Sequence, residues 1–334
     1  MGQMARRGFL VGGLALVGTA LLPAGGAAAA DPPIIDCEGW GARPNREDVQ
    51  VWDQRPIRII VHHTATPNTA DLSQDAAERL ARAIQNFHMD RRGWIDTGQH
   101  FTISRGGFTL EGRHRSLEVL HGGTEQVEGA HCTGQNVLAV GIENEGTYTV
   151  GEPPGQLWDR LRELCAYICQ QYEIQPTEIY GHRDFKDTAC PGDAFYRMLP
   201  RLRSEVAGAL GQRVSSTEAV SAAWPLLRIA DRGPVVLAAQ HLLRAAGYRD
   251  VPADGRFDRR TADAVRRLQT EHRSEEVNGV IGGESWPLLV TLTARAGDEE
   301  VARAVQAVSG GRPLRRALRG PADWQRLLDT SAPH

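Results

Sequence analysis

Long apolar runs, an excess of either charge, and lysine are what this chain of 334 residues has least of. Its 38 basic and 41 acidic residues leave a formal net charge of −3, and its pI is near 6.4. That balance offers no electrostatic case for nucleic acid or an anionic membrane as partner. One basic residue alone, Lys186, is lysine, so chemistry that needs an ammonium group has a single candidate. The one extended apolar stretch, in MGQMARRGFLVGGLALVGTALLPAGGAAAA, is too short and too glycine-rich for a good membrane-spanning helix. Its charged start, apolar centre and A-x-A ending read as an export signal over residues 1–30. The Arg6-Arg7 pair in ARRGFL resembles a twin-arginine signal, which implies export of an already folded protein; an ordinary secretory signal is the alternative. On either reading the mature protein is secreted or held in the cell wall, with no membrane contact once the signal is removed.

Cysteine is also sparse. The five are Cys37, Cys132, Cys165, Cys169 and Cys190. If Cys190 binds metal, the other four allow three pairings in an oxidising compartment. Cys165 and Cys169 lie four apart in LWDRLRELCAYICQQY, where a bridge within one helix is strained. Pairing of one of them with Cys37 and plain burial of all four both stay open.

At 41% hydrophobic residues the chain supports two packed domains. Residues 31–212 alternate strands and helices and predict a layered α/β domain with a mixed central sheet flanked by helices. IRIIVHH, VLAVGIENEG and EIYGH read as strands, and HFTISRGGFTLEG as a hairpin turning at Gly106-Gly107. SQDAAERLARAIQNFHM reads as a helix capped by Ser73, with Ala77, Leu80, Ala81, Ile84 and Phe87 on one face. Residues 213–228 read as a linker, 229–290 as a small all-α domain, and 291–334 as a helical tail. Within the small domain ADGRFDRRTADAV and VNGVIGGESWPLL share one spacing. Each has an Asx-Gly turn (Asp254-Gly255, Asn278-Gly279), an apolar plug (Phe257, Ile281) and a hydroxyl expected to cap the next helix (Thr261, Ser285). WPLL occurs at both Trp224 and Trp286, and DWQRLLDT at Trp324 reads as a worn third copy.

The chemistry concentrates in GHRDFKDTACPGD, where a short charged loop separates His182 from Cys190. A catalytic zinc site takes three protein ligands and leaves one position open. His182 and Cys190 supply two. The strand end VHHTAT offers His62 and His63, which alternate to opposite faces, so spacing alone does not choose between them. Glu143 ends the AVGIE strand as a candidate base. Glu145, of the same parity, reads as a solvated strand-end carboxylate, and Lys186 as a solvated loop charge.

IIVHHTAT, GWIDTGQHFTISRGG, GAHCTGQN, VGIENEGTY and GHRDFKDTACPGD occur in the order and spacing of the N-acetylmuramoyl-L-alanine amidases. That family includes the phage amidases called lysozymes and is related to the peptidoglycan recognition proteins. The resemblance covers roughly residues 36–205. It implies Zn²⁺ on His62, His182 and Cys190, with Glu143 as the catalytic glutamate. Two departures stand out: Thr188 replaces a lysine that some relatives place two residues before the cysteine, and Gln99 replaces a tyrosine. Thr188 then becomes the catalytic hydroxyl candidate for holding the oxyanion, with His131 as an imidazole alternative. His131, Asn144 and His100 are the expected substrate contacts. DRGPVVLAAQHLLRAAGY and DGRFDRRTADAVRRLQ resemble a three-helix peptidoglycan-binding domain, with Asp258 in place of its usual glycine and Leu268 in place of its phenylalanine. The resemblances imply a secreted zinc hydrolase that cleaves the amide between N-acetylmuramic acid and L-alanine. Rival readings are a non-catalytic peptidoglycan-recognition module and a zinc peptidase acting on stem peptides.

Overall fold

The computed structural model describes residues 29–215, 223–294, 299–312, 318 and 320–329. The expected signal (except its last two residues), the middle of the expected linker and parts of the tail lie outside the described residues.

A mixed six-stranded sheet organises residues 29–210, in the order β1 (Ile34–Ile35), β5 (Thr109–Glu111), β4 (Phe101–Ile103), β7 (Ala139–Asn144), β3 (Arg58–His63), β8 (Ile179–Gly181). Strands β4, β7, β3 and β8 run parallel, and the hairpin β4–β5 is antiparallel as its glycine turn predicts. β2 (Val51–Trp52) and β6 (Gln126–Val127) form a separate two-stranded ribbon. The central strands are buried, and their alternation divides their side chains between two layers. Ile59, Val61, Val140 and Ile142 face a core built with α3 (Gly155–Tyr172) and α4 (Asp193–Ala209). Ile60 faces the other side, among Cys132, Ala139 and Phe185. His62, of the same parity as Ile60, therefore leaves the sheet on that second side.

Helix α1 (Gln74–Asp90) starts where the sequence expects it, with Ser73 Oγ accepting the Ala76 N–H at 3.2 Å. Its buried stripe differs from the expected one. Ala77 and Ala81 are buried with Gln85 and Met89, whereas Phe87 is 49% exposed and Leu80 and Ile84 are only partly covered. The short alanines let α1 approach Trp40 and Leu110, which turns the larger apolar residues toward a groove described below.

All five cysteines are free thiols. Cys165 and Cys169 are packed into the α3 face, and Cys37 and Cys132 are buried elsewhere, so plain burial is the alternative observed. Burial pushes the Cys132 and Cys169 thiols up to about 12 and also raises those of Cys37 and Cys165.

The C-terminal region is helical: Pro234–Ala245, Arg259–Glu271, Ser285–Leu292, Glu299–Ser309 and Pro321–Asp329 share one core with Trp224, Trp286 and Trp324. Trp224 stacks on Trp286 at 6.2 Å and Leu227 pairs with Ile281, so the last residues of the expected linker belong to this core. The tail helix Glu299–Ser309 packs on Pro234–Ala245, where Glu300 lies 2.6 Å from His241 and 2.9 Å from Arg244.

The two sequence repeats are two copies of one hydrogen-bonded device. Gln240 Oε1 accepts the N–H groups of Asp254 and Gly255 at 3.1 and 2.8 Å, and its amide donates to Arg256 at 3.0 Å. Gln269 Oε1 accepts those of Asn278 and Gly279 at 3.1 and 2.9 Å, and its amide donates to Val280 at 2.8 Å. Gly255 and Gly279 take φ of +69° and +78°, which explains their place after the Asx residues. The hydroxyls are donors rather than caps, which corrects the sequence expectation. Asp258 is the N-cap, its Oδ1 accepting the Thr261 N–H at 2.9 Å and lying 3.1 Å from the Thr261 hydroxyl. Replacing Gln240 by Leu takes the acceptor from two turn N–H groups and the donor from the Arg256 carbonyl. We expect a loss of about 2–3 kcal/mol, read as a lower urea midpoint of the C-terminal helices by circular dichroism.

Candidate metal centre

Parallel pairing decides which side chains meet at the sheet rim. The register sets His62 opposite Glu143 and His63 opposite Asn144, while β8 runs beside β3 and ends one residue before His182. His182 then opens a single 3-10 turn, and the loop returns through Cys190 to α4. Ligand atoms of His62, His182 and Cys190 all lie within 4.8 Å of one another, the one such trio of possible metal ligands among the described residues. The His62 and His182 rings are 4.4 Å apart, and Cys190 Sγ is 3.8 Å from His62 Nδ1 and accepts the His63 N–H at 3.3 Å. His63 points the other way, where its Nδ1 accepts the Tyr148 N–H at 3.3 Å.

Electrostatics favour capture of a cation. Burial lowers His62 far below the ordinary imidazole value, with the neighbouring His182 adding to the effect, and holds His182 down at about 4. Both are therefore neutral at neutral pH, with lone pairs available. Burial, helped by Glu143, raises the Cys190 thiol, which loses its proton when a soft cation binds. His182 Nε2 is buried with no hydrogen-bond partner, and so is Glu143 Oε2. Two imidazoles and a thiolate suit zinc better than magnesium or calcium. These residues therefore fit the ion that the sequence implies.

The next layer holds His62 in one tautomer. His131 Nε2 lies 3.3 Å from the Ala139 carbonyl, which only accepts, so that nitrogen carries the proton and Nδ1 is an acceptor. His131 Nδ1 is 3.0 Å from His62 Nε2 and takes its N–H, which leaves the His62 Nδ1 lone pair aimed toward Cys190. The His131 ring lies so close over Gly141 that a Cβ there would fall 2.5 Å from it, which accounts for glycine in AVGIE.

The three expected substrate contacts all make hydrogen bonds within the protein. His131 spends both ring nitrogens within the protein and orients His62. His100 is 2% exposed; its Nδ1 accepts the Gly141 N–H at 2.9 Å and its Nε2 faces the Val127 carbonyl at 2.8 Å. Asn144 is fully buried and donates to the His62 carbonyl at 2.8 Å, bracing β3 against β7. Two smaller expectations change. Glu145 is buried, its carboxylate accepting the Arg105 N–H at 2.7 Å. Lys186 is buried too, its amine 3.1 Å from Glu275 and 3.6 Å from Glu284. Thr188 Oγ1 accepts the Cys190 N–H at 3.2 Å, which shapes the turn into the thiol and leaves its own proton to donate. Gln99 is buried and donates to Thr102 at 2.9 Å.

Glu143 opens onto a cleft of about 330 Å³ that α1 lines with Leu80, Ile84 and Phe87 and the chain after β3 lines with Thr64 and Thr66. No polar pattern in the sequence marks this groove. Its signal is the surplus of large apolar residues on α1, which that helix's own packing does not need.

Strands that end on a rim of two imidazoles, a thiol and a buried carboxylate, followed by a repeat-built helical unit, define a two-part α/β protein with a metal-type site. The chain belongs to the N-acetylmuramoyl-L-alanine amidase family, whose profile matches residues 52–193; residues 232–289 match a peptidoglycan binding domain. It is 31% identical over 168 residues to peptidoglycan recognition protein 1 of Bos indicus, covering 50% of this chain and 82% of that protein. It is 32% identical over 165 residues to the N-acetylmuramoyl-L-alanine amidase of Homo sapiens, of which it spans 26% while using 48% of this chain. A solved structure of Drosophila PGRP-LB is 29% identical, covering 51% of this chain and 93% of that one at a TM-score of 0.45.

Burial alone raises Glu143 to about 8. In protein freed of metal ions, the folded state keeps a proton that the unfolded chain releases above the ordinary carboxylate pKa of about 4.5. Stability from this group is full below that value, declines as the pH rises, and is lost above about 8. Glu143→Gln therefore matches the metal-free parent in thermal unfolding at low pH and exceeds it above pH 8 by on the order of a few kcal/mol.

Proposed function

We propose that the protein is a zinc-dependent peptidoglycan amidase that hydrolyses the bond between N-acetylmuramic acid and L-alanine, acting outside the cell on the wall. The observation that carries this reading is the meeting of His62, His182 and Cys190 beside a buried carboxylate that opens onto a cleft. His62, His182 and Cys190 would hold the ion, with His131 fixing the tautomer of His62. Zinc, when bound, supplies Lewis-acid polarisation of the amide and activation of the attacking water.

The rest falls to the chain's own groups. Glu143, kept protonatable near neutral pH by burial, takes the proton of the attacking water and returns it to the leaving nitrogen. The Thr188 hydroxyl is the candidate donor to the carbonyl oxygen as it gains charge, since no lysine or tyrosine occupies the positions that relatives use. Leu80, Ile84 and Phe87 offer an apolar wall for the substrate, and its water exclusion strengthens the polar contacts inside. The helical unit supports peptidoglycan as the partner through its family match.

A recognition role without turnover is the second reading, favoured by the likeness to peptidoglycan recognition protein 1. Digestion of peptidoglycan followed by mass analysis separates the readings. An amidase releases intact stem peptides with a free L-alanine amine, a peptidase cuts within the stem, and a recognition module releases nothing. Glu143→Ala lowers the release rate by about 10²–10⁴ while zinc content stays at one ion per chain; retained turnover would remove Glu143 from the role of base.

A further inference from the structure

The loop between His182 and Cys190 is not held by the sheet alone. Its Asp187 is fully buried, and its carboxylate serves the helical unit. Oδ1 accepts the N–H groups of Gly282, Glu284 and Ser285 at 2.7, 3.2 and 2.9 Å, and Oδ2 accepts the Ser285 hydroxyl at 2.5 Å. Gln269, the buried amide of the second repeat, donates to the same Oδ2 at 3.1 Å. Aligning the repeats gives this arrangement its meaning. In the first, Asp258 caps its helix from within; in the second, Gly282 occupies the equivalent position and offers no side chain. Asp187 thus supplies, from the other domain, the carboxylate that the second repeat lacks.

Main chain meets main chain around this cap. Gly283 N–H donates to the Lys186 carbonyl at 3.2 Å, and the Asn278 amide donates to the Asp187 carbonyl at 2.6 Å. A Cβ on Gly283 would fall 2.5 Å from the Asp184 carbonyl carbon, and one on Gly282 would fall 3.0 Å from the Lys186 carbonyl oxygen. Two adjacent glycines are therefore what lets the unit lie on the loop. Lys186 reaches across to Glu275 and Glu284, and Arg228 reaches back to Asp193, at 2.6 Å, just beyond Cys190.

We propose that the helical unit is a structural part of the metal site: by taking Asp187 as its missing helix cap, it clamps the loop that presents His182 and Cys190, and Asp187 acts as a positioning residue for both. This rests on the reading of His62, His182 and Cys190 as zinc ligands. The unit then does more than tether the enzyme to its substrate. Docking and ion capture are linked, so each strengthens the other by the same factor.

The experiment compares full-length parent, Asp187→Ala and Asp187→Ala/Gly282→Asp. The double variant gives the second repeat a cap of its own, as Asp258 does in the first, and so keeps the unit folded while the loop is free. Two quantities are read: zinc affinity by competition with a chelator, and hydrogen exchange of backbone amides 183–189. The clamp predicts faster exchange in both variants and about ten-fold or more weaker zinc binding in both. The double variant also regains the parent's melting transition for the helical unit. Parent-like exchange in Asp187→Ala, or parent-like zinc affinity in the double variant, would overturn the proposal. Failure of the parent itself to bind zinc strikes the reading of the trio instead, while the exchange arm still tests the clamp.

Discussion

Parallel alignment of β3 with β7 and β8 is the constraint on which the site depends. Parallel neighbours present side chains of paired residues on the same face, so the register that joins His62 to Glu143 puts a ligand and a carboxylate side by side without any loop having to find them. β8 ends at the same rim and delivers His182, and the short return through Cys190 closes the trio. His182 opens and Cys190 closes one loop, and that loop is the one the second domain holds. Precision is thus obtained from rigid strands where they reach and from an added clamp where they do not.

Burial supplies the electrostatics. Burial of this rim keeps its imidazoles neutral, its thiol protonated and its carboxyl protonatable, and the neutral imidazoles have lone pairs to offer a divalent cation. The unpartnered His182 Nε2 and Glu143 Oε2 express the same condition: polar atoms directed at a space that the polypeptide leaves to something else.

Much of this was legible in the residues, and the gaps have physical causes. Strands β3 and β7 announce themselves by their β-branched residues, and α1 by its cap, because those signals are local. His62 over His63 was not legible from alternation, since parity separates the two faces without saying which one carries the site. The internal contacts of His131, His100 and Asn144 were not legible either, since each pairs with a main-chain group, which leaves no mark on the sequence. Lys186 and Asp187 were hidden for a related reason. Their partners lie about a hundred positions away, across a domain boundary, and a charged loop reads as solvated until something is seen to cover it. The two repeat glutamines were equally silent, since spacing from turn to turn drew attention to the turns and away from the amides that hold them.

The unpaired state of the cysteines bears on what holds the molecule together. Four of the five thiols lie inside cores whose packing is complete without any covalent cross-link, and their protons are bound too tightly for ready attack. The native fold therefore holds together without a cross-link among these four thiols, and the one less buried thiol, Cys190, is kept for the metal-type site.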